Sequence, residues 1–294
     1  MPTARTAPQP GPPRDELGAH VSTAGGVEHA PARAAALGSG VLQLFTKQPS
    51  RWAEPLLSPA AIDTFRAERE RCAITCAAAH DAYLINLASP DPGLFERSLG
   101  AFRAELERCV QLGLDYLVSH PGSATDGDRG RGLERNALAV RRALEEVPGS
   151  VSVLLETTPG AGSCLGGDFA ELAELIRRID IDDRVGVCVD TCHVWVAGYD
   201  LRGDYEGVIA QLDDAVGLRR VRLLHLNDSV GPRGSRRDRH AHIGQGTLGD
   251  APFRALLGDS RLVRVPKLIE TPKDPDVLAA DRANLARLRR YRTG

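Results

Sequence analysis

Lysine is almost missing from this chain. Only Lys47, Lys267 and Lys273 occur, although Lys and Arg together number 37 among 294 residues. The plain reading of the scarcity is genomic base composition, and it leaves chemistry that needs a Schiff-base lysine with few candidates. Paired cysteines are missing too. Cys72, Cys76, Cys109, Cys164, Cys188 and Cys192 form no CxxC motif, and several sit inside apolar runs. They are expected to be reduced, mostly buried thiols of a cytoplasmic protein, not a disulfide framework. No apolar stretch approaches the ~18 residues of a membrane span. The segment MPTARTAPQPGPPRDE has many Pro and no apolar core, so 1–16 is expected to be a disordered tail and not a signal peptide. Net charge is −2. Overall charge therefore announces no nucleic-acid partner, and phosphate binding would need a local patch or bound metal ions.

What is present is an alternation of strand-like and helix-like segments. Eight short runs rich in Val, Ile, Leu, Ala or Cys read as strands, at 17–22, 41–47, 74–80, 114–120, 150–156, 184–190, 220–226 and 265–271. Helical patterns lie between them, at 58–72, 98–113, 133–147, 169–179 and 252–259. Ser58–Pro59 supplies an N-cap and first-turn pair, and Gly113 a stop. No linker or internal repeat divides the chain. The pattern predicts an α/β fold of one domain over 17–294, a parallel sheet closed into a (β/α)8 TIM barrel. A doubly wound open sheet is the alternative, but the chain reads as lacking the glycine-rich GxGxxG turn that fold uses.

Potential metal ligands sit at or just past the ends of these runs: His80, His120, Glu156, Asp190, His193, His225 and Glu270. Asp238 and His240 add two more from the segment RRDRH. Five of the eight His fall in such places, which chance scatter would not produce. Barrel active sites form at the C-terminal ends of strands. Nine ligands exceed what one ion takes, so the pattern points to a multinuclear site. Each residue also has a plainer reading. A lone strand-end His is usually a hydrogen-bonded structural residue, Asp190 is a good helix cap, and Cys192 reads as a bystander. Arg233, Arg236, Arg237 and Arg239 suit either a phosphate grip or a solvated loop. His20, His29 and His242 have no evident partners and read as structural.

The motifs GAHVSTAGG, LFTK before RW, AHDAYLINLASP, HPGS, LLETT, VGVCVDTCHVWVAGYDL, HLND, DRH before IGQG, and LIETPK resemble the endonuclease IV family of DNA-repair enzymes, from about Leu17 to Pro272. The resemblance implies a (β/α)8 barrel with three Zn2+ ions, Mn2+ being admissible in part. Its substrates would be double-stranded DNA containing abasic sites or blocked 3′ ends, and it would act as a monomer with no membrane partner. By position, His80, His120 and Glu156 would hold one ion. Glu156 would bridge to a second ion held by Asp190, His225 and Glu270, while His193, Asp238 and His240 would hold the third. Glu156 and Glu270 would be the catalytic carboxylates, and Tyr83 and Arg51 DNA contacts. The chain departs from the family pattern at Gln48-Pro49-Ser50-Arg51-Trp52, at Glu156-Thr157-Thr158-Pro159-Gly160 and at Gly244-Gln245-Gly246, none of which removes a ligand.

Three rival readings stand beside this one. A sugar isomerase or epimerase also uses acidic and His strand ends, but has no use for the Asp238/His240 pair. A lyase would attack the abasic aldehyde through a lysine, for which Lys47 is the placed candidate. A noncatalytic zinc- or DNA-binding protein would not need so full a ligand set.

Overall fold

The computed structural model describes residues 16–273 and 276–292. The expected tail therefore lies outside the described residues apart from Glu16. Among the described residues ten strands run in chain order: β1 (Leu17–His20), β2 (Val41–Phe45), β3 (Cys76–His80), β4 (Tyr116–Ser119), β5 (Ser152–Glu156), β6 (Val185–Asp190), β7 (Val221–His225), β8 (Asp228–Ser229), β9 (His240–Ala241) and β10 (Lys267–Ile269). Eight of them close into a barrel in the order β1-β10-β7-β6-β5-β4-β3-β2. Every neighbouring pair in that ring is parallel. The expected TIM barrel is present, each strand falling inside its expected run. β8 and β9 form a separate antiparallel ribbon beyond β7, too short to leave a strand pattern in the sequence.

The helices are α1 (Ala30–Ala36), α2 (Pro59–Arg71), α3 (Pro92–Leu112), α4 (Arg129–Glu146), α5 (Phe169–Ile179), α6 (Thr191–Ala197), α7 (Tyr205–Val216), α8 (Ala251–Gly258) and α9 (Val277–Arg292). Ser58 Oγ accepts from Ala61 N–H ahead of Pro59, as the cap reading of α2 requires. α3 starts six residues before its expected Ser98, because Asp91–Pro92 is a second cap and first-turn pair of the same kind. It ends on Gly113 in the left-handed region, φ 69°. α4 also starts early, capped by Asp128, since its first turn (Arg129–Gly132) carries two glycines and little apolar periodicity. α1, α6, α7 and α9 are additions to the expected helices. The GxGxxG spacing does occur, as Gly244–Gly249, but off the barrel sheet after β9. There Gly246 and Leu248 N–H groups donate to Asp228.

Apolar helix faces pack on the outward side of the strands around Phe65, Phe102 and Phe253, each fully buried. Each such side chain contributes roughly 2–3 kcal/mol. The six cysteines are all free, and Cys76, Cys109, Cys188 and Cys192 are buried. Among the described residues no helix is long and apolar enough to cross a membrane.

Candidate metal centre

Side chains along a strand alternate between the two faces of the sheet. Val41, Ala78, Val118, Leu154, Cys188, Leu223 and Leu268 point inward and fill the barrel. Two residues further along the same chain stretches stand Gln43, His80, His120, Glu156, Asp190, His225 and Glu270. The polar set is thus the next layer up, at the C-terminal mouth. His20 ends β1 and lies level with Gln43.

Asp190 has two jobs, one per oxygen. Oδ1 accepts from His193 N–H (3.0 Å) and caps α6. Oδ2 accepts from Asn227 Nδ2 (2.6 Å) and faces His240 Nε2 (3.6 Å) and His225 Nδ1 (4.0 Å). The cap reading therefore holds, and the second oxygen is left among the other candidate ligands. His193 rides the first turn of α6. His240 opens β9, whose pairing with Ser229 swings Asp238 and His240 back over the mouth.

All nine candidate ligands converge. Glu156 is central: Oε2 faces His80 Nε2 (2.9 Å) and His120 Nε2 (3.3 Å), and Oε1 faces His225 Nδ1 (2.9 Å) and His193 Nδ1 (3.5 Å). Glu270 Oε2 lies 3.4 Å from His225 Nδ1. Asp238 reaches His193 Nε2 (3.2 Å) and His240 Nε2 (3.3 Å). The donor atoms fall into overlapping groups: His80, His120 and Glu156; Glu156, Asp190, His225 and Glu270; and Asp190, His193 and His240, with Asp238 beside them. Glu156 joins the first two groups and Asp190 the last two.

The outer nitrogens of four rings are engaged elsewhere. His80 Nδ1 bonds Asp81 O (2.9 Å), His193 Nδ1 Thr157 O (2.8 Å), His240 Nδ1 Glu270 O (3.1 Å) and His225 Nε2 Gln43 Oε1 (2.8 Å). Each bond fixes a ring so that its other nitrogen faces the carboxylates, the arrangement that holds metal-binding imidazoles in place.

Burial alone would raise the Glu156 carboxyl, but the imidazoles of His225 and His120 hold it well below the usual range. Burial opposes and His225 likewise outweighs it at Glu270. His80 and His193 are driven well above the ordinary imidazole range, their acidic neighbours overcoming burial. His225 rises to about 9. At His80, His193 and His225, then, a proton is favoured beside the carboxylates. The site fits cations in their place. Among the described residues, buried His193 Nε2 and His240 Nε2 have no hydrogen-bond partner. Four donors about 2.0–2.1 Å from an ion stand roughly 3.3 Å apart in a tetrahedron, close to the spacings above. Burial pushes the Cys192 thiol up to about 12 and Cys188 well above its ordinary range; Cys188 lies beside Glu156 and His225, and Cys192 beside Asp238 and His240.

A cavity of about 500 Å³ opens onto this layer, lined by His20, Phe45, Tyr83, Arg239 and Lys273 as well as by several of the ligands. A larger cleft of about 750 Å³ lies around Arg129, Tyr199 and Arg236 and contains none of the nine. His20, for which the sequence offered no partner, has two in this layer: its Nδ1 lies 3.4 Å from Glu270 and 3.0 Å from Gln43 Nε2. Its position at a strand end was a signal available in the sequence. His242, bonded to Asn284, is structural as expected. Tyr83 stands at the mouth, 69 % exposed, edge-on to Phe45. Arg51 is exposed on the 46–58 segment and does not line the cavity. Of the arginine run, Arg239 reaches the mouth, Arg236 the neighbouring cleft, and Arg233 pairs with Asp200. Lys47 is buried with Glu54 and Glu105, away from the cavity, whereas Lys273 lines it.

Comparison with known proteins agrees with this geometry. The sequence model of the xylose isomerase-like TIM barrel family matches residues 31–291. The probable endonuclease 4 of Chloroflexus aggregans is 49 % identical over 276 residues, spanning 93 % of this chain and 96 % of that protein. The probable endonuclease 4 of Geobacter sulfurreducens is 45 % identical, over 94 % of each. The crystal structure of endonuclease IV from Thermus thermophilus superposes with a TM-score of 0.84 at 40 % identity, covering 94 % of this chain and 98 % of that one. With the barrel, its polar layer and near-full-length relatives all in agreement, this chain belongs to the endonuclease IV family.

Proposed function

We propose that this protein is a zinc-dependent endonuclease of DNA repair. It hydrolyses the phosphodiester 5′ to an abasic site, leaving a 3′-hydroxyl and a 5′-deoxyribose phosphate, and trims blocked 3′ ends. The supporting observation is the convergence of nine imidazole and carboxylate donors into overlapping groups joined by Glu156 and Asp190. A donor set of nitrogen and oxygen suits zinc. His80, His120 and Glu156 would hold one ion; Glu156, Asp190, His225 and Glu270 a second; His193, Asp238 and His240 a third. Bound zinc supplies Lewis acidity, which lowers the pKa of water and offsets the charge of the phosphodiester.

The chain's own residues do the rest. The rings are held rigid by their outer hydrogen bonds, so the substrate phosphate meets a preformed site. In the reaction a P–O bond forms to water as the bond to the 3′-oxygen breaks, and a proton passes to that oxygen. Glu270 Oε1 is occupied by Gln43 (2.6 Å), which leaves Oε2 to face the second group or accept the water's proton. An abasic sugar leaves the helix at low cost because it has no base to unstack. Tyr83 at the mouth and Arg51 on the 46–58 segment would fill the gap it leaves.

Incision of a duplex carrying one tetrahydrofuran analogue, with zinc measured on the same sample, tests the reading. Cutting 5′ to the analogue with about three zincs per chain is expected. No cutting at full loading would refute it and redirect attention to sugar isomerisation.

A further inference from the structure

Gln43 occupies a ligand-layer position with a side chain that is a poor zinc ligand. It is wholly buried in the middle of β2. Its amide bonds three groups at once. Oε1 accepts from His225 Nε2–H at 2.8 Å, and Nε2 donates to Glu270 Oε1 at 2.6 Å and to His20 Nδ1 at 3.0 Å. The amide cannot turn over. Reversed, its oxygen would confront the Glu270 carboxylate, which can only accept. With Oε1 fixed on His225, the proton of that ring is held at Nε2. Nδ1 is then the nitrogen left for a cation, and it points at Glu156 Oε1, Glu270 Oε2 and Asp190 Oδ2.

We propose that Gln43 is a positioning residue for the second donor group. It fixes the ring of His225 and the carboxylate of Glu270 together, and so sets that group's zinc affinity. The inference rests on the zinc reading above. Gln43 reaches His225 across the interior, since β2 and β7 are separated in the ring by β1 and β10. One amide thereby ties separate arcs of the mouth.

The test compares wild type, Gln43→Leu and Gln43→Glu by competition for zinc against a chromophoric chelator. Circular dichroism confirms folding, and proton NMR of the zinc-loaded chain reports the His225 Nε2–H. In Gln43→Leu, one zinc should bind roughly 10–100-fold more weakly, with the others unchanged. The exchange-protected Nε2–H resonance should disappear. Gln43→Glu keeps an acceptor for His225, so that resonance should persist. It loses the donor to Glu270, so the same zinc should still weaken. If Gln43→Leu does not fold, Gln43→Glu decides. Wild-type zinc affinity in every folded variant would overturn the proposal. A wild type that binds zinc as expected, with weakened variants but no incision of abasic DNA, would refute the proposed activity and leave the role of Gln43 standing. A wild type that binds no zinc would overturn both.

Discussion

Replacing Asp190 by Asn separates its helix cap from its proposed ligand role. Asn is itself a good helix cap, so Oδ1 of the new side chain would still serve His193 N–H. Its NH2 would then stand where Oδ2 stood, 2.6 Å from the NH2 of Asn227. Asn227 cannot turn to help, because its Oδ1 holds Glu270 N–H at 2.7 Å. Two donors face each other in a fully buried place, at a cost of roughly 1–3 kcal/mol, or about 5 °C in Tm. The exchange Asp190→Asn with Asn227→Asp restores every hydrogen bond. The amide now at position 190 donates across the gap, and the carboxylate now at position 227 accepts both from it and from Glu270 N–H. Most of the lost stability should return when chelator-treated proteins are melted. Activity should not return, since the carboxylate has left the ligand layer. Zinc content should stay short and incision down by at least roughly 100-fold. Failure of the exchange to recover Tm would refute the hydrogen-bond account. Full zinc and wild-type incision in Asp190→Asn would refute the ligand assignment.

Glu270→Gln should cut incision by roughly 100-fold or more while gel-shift affinity for abasic DNA stays near wild type; a normal rate would remove Glu270 from the chemistry. Glu105, beneath the 46–58 segment, has its carboxyl raised to about 7 by burial, Asp81 adding to this. Between the ordinary 4.5 and 7 the folded chain holds a proton that the unfolded chain has released. Its contribution to stability therefore declines as pH rises through that window, by roughly 3 kcal/mol in all. Glu105→Gln should remove the decline, and denaturant unfolding at pH 5 and pH 8 checks it; an equal difference from wild type at both refutes it. Borohydride should trap no adduct with abasic DNA, because Lys47 is enclosed by Glu54 and Glu105 and Lys273 pairs with Asp281. An adduct lost on substituting either lysine would restore the lyase reading.

Strand positions and the convergence of the candidate ligands were legible in the sequence for one reason. A buried parallel strand must be apolar on both faces until its last inward residue, so a charged group there stands out. His80, Glu156, Asp190 and His225 each end such a run. Helix starts were legible only where apolar periodicity began at the cap. It did so for α2 after Ser58 and for α5 after Asp168, and did not for α3 and α4. The Asp190 cap and ligand readings looked like alternatives, because a sequence does not assign the two carboxylate oxygens separately. Gln43 was invisible for a different reason. An amide within VLQLF signals nothing by itself, and its partners on β7 and just past β10 come within reach only when the barrel closes.

Deleting one residue from any of these strands would turn its ligand outward into the helix layer and bring an apolar neighbour to the mouth. The site is therefore locked to the phase of the sheet: strands can change length only in steps of two, whereas the connecting loops carry no such restriction. Grafting this polar layer onto another eight-stranded barrel would demand strands of matching phase before any choice of ligand mattered. The Asp238 and His240 arm is the exception. It hangs from the β8–β9 ribbon and not from the barrel sheet, so the length of chain between its strands is free to drift while its two donors stay in place.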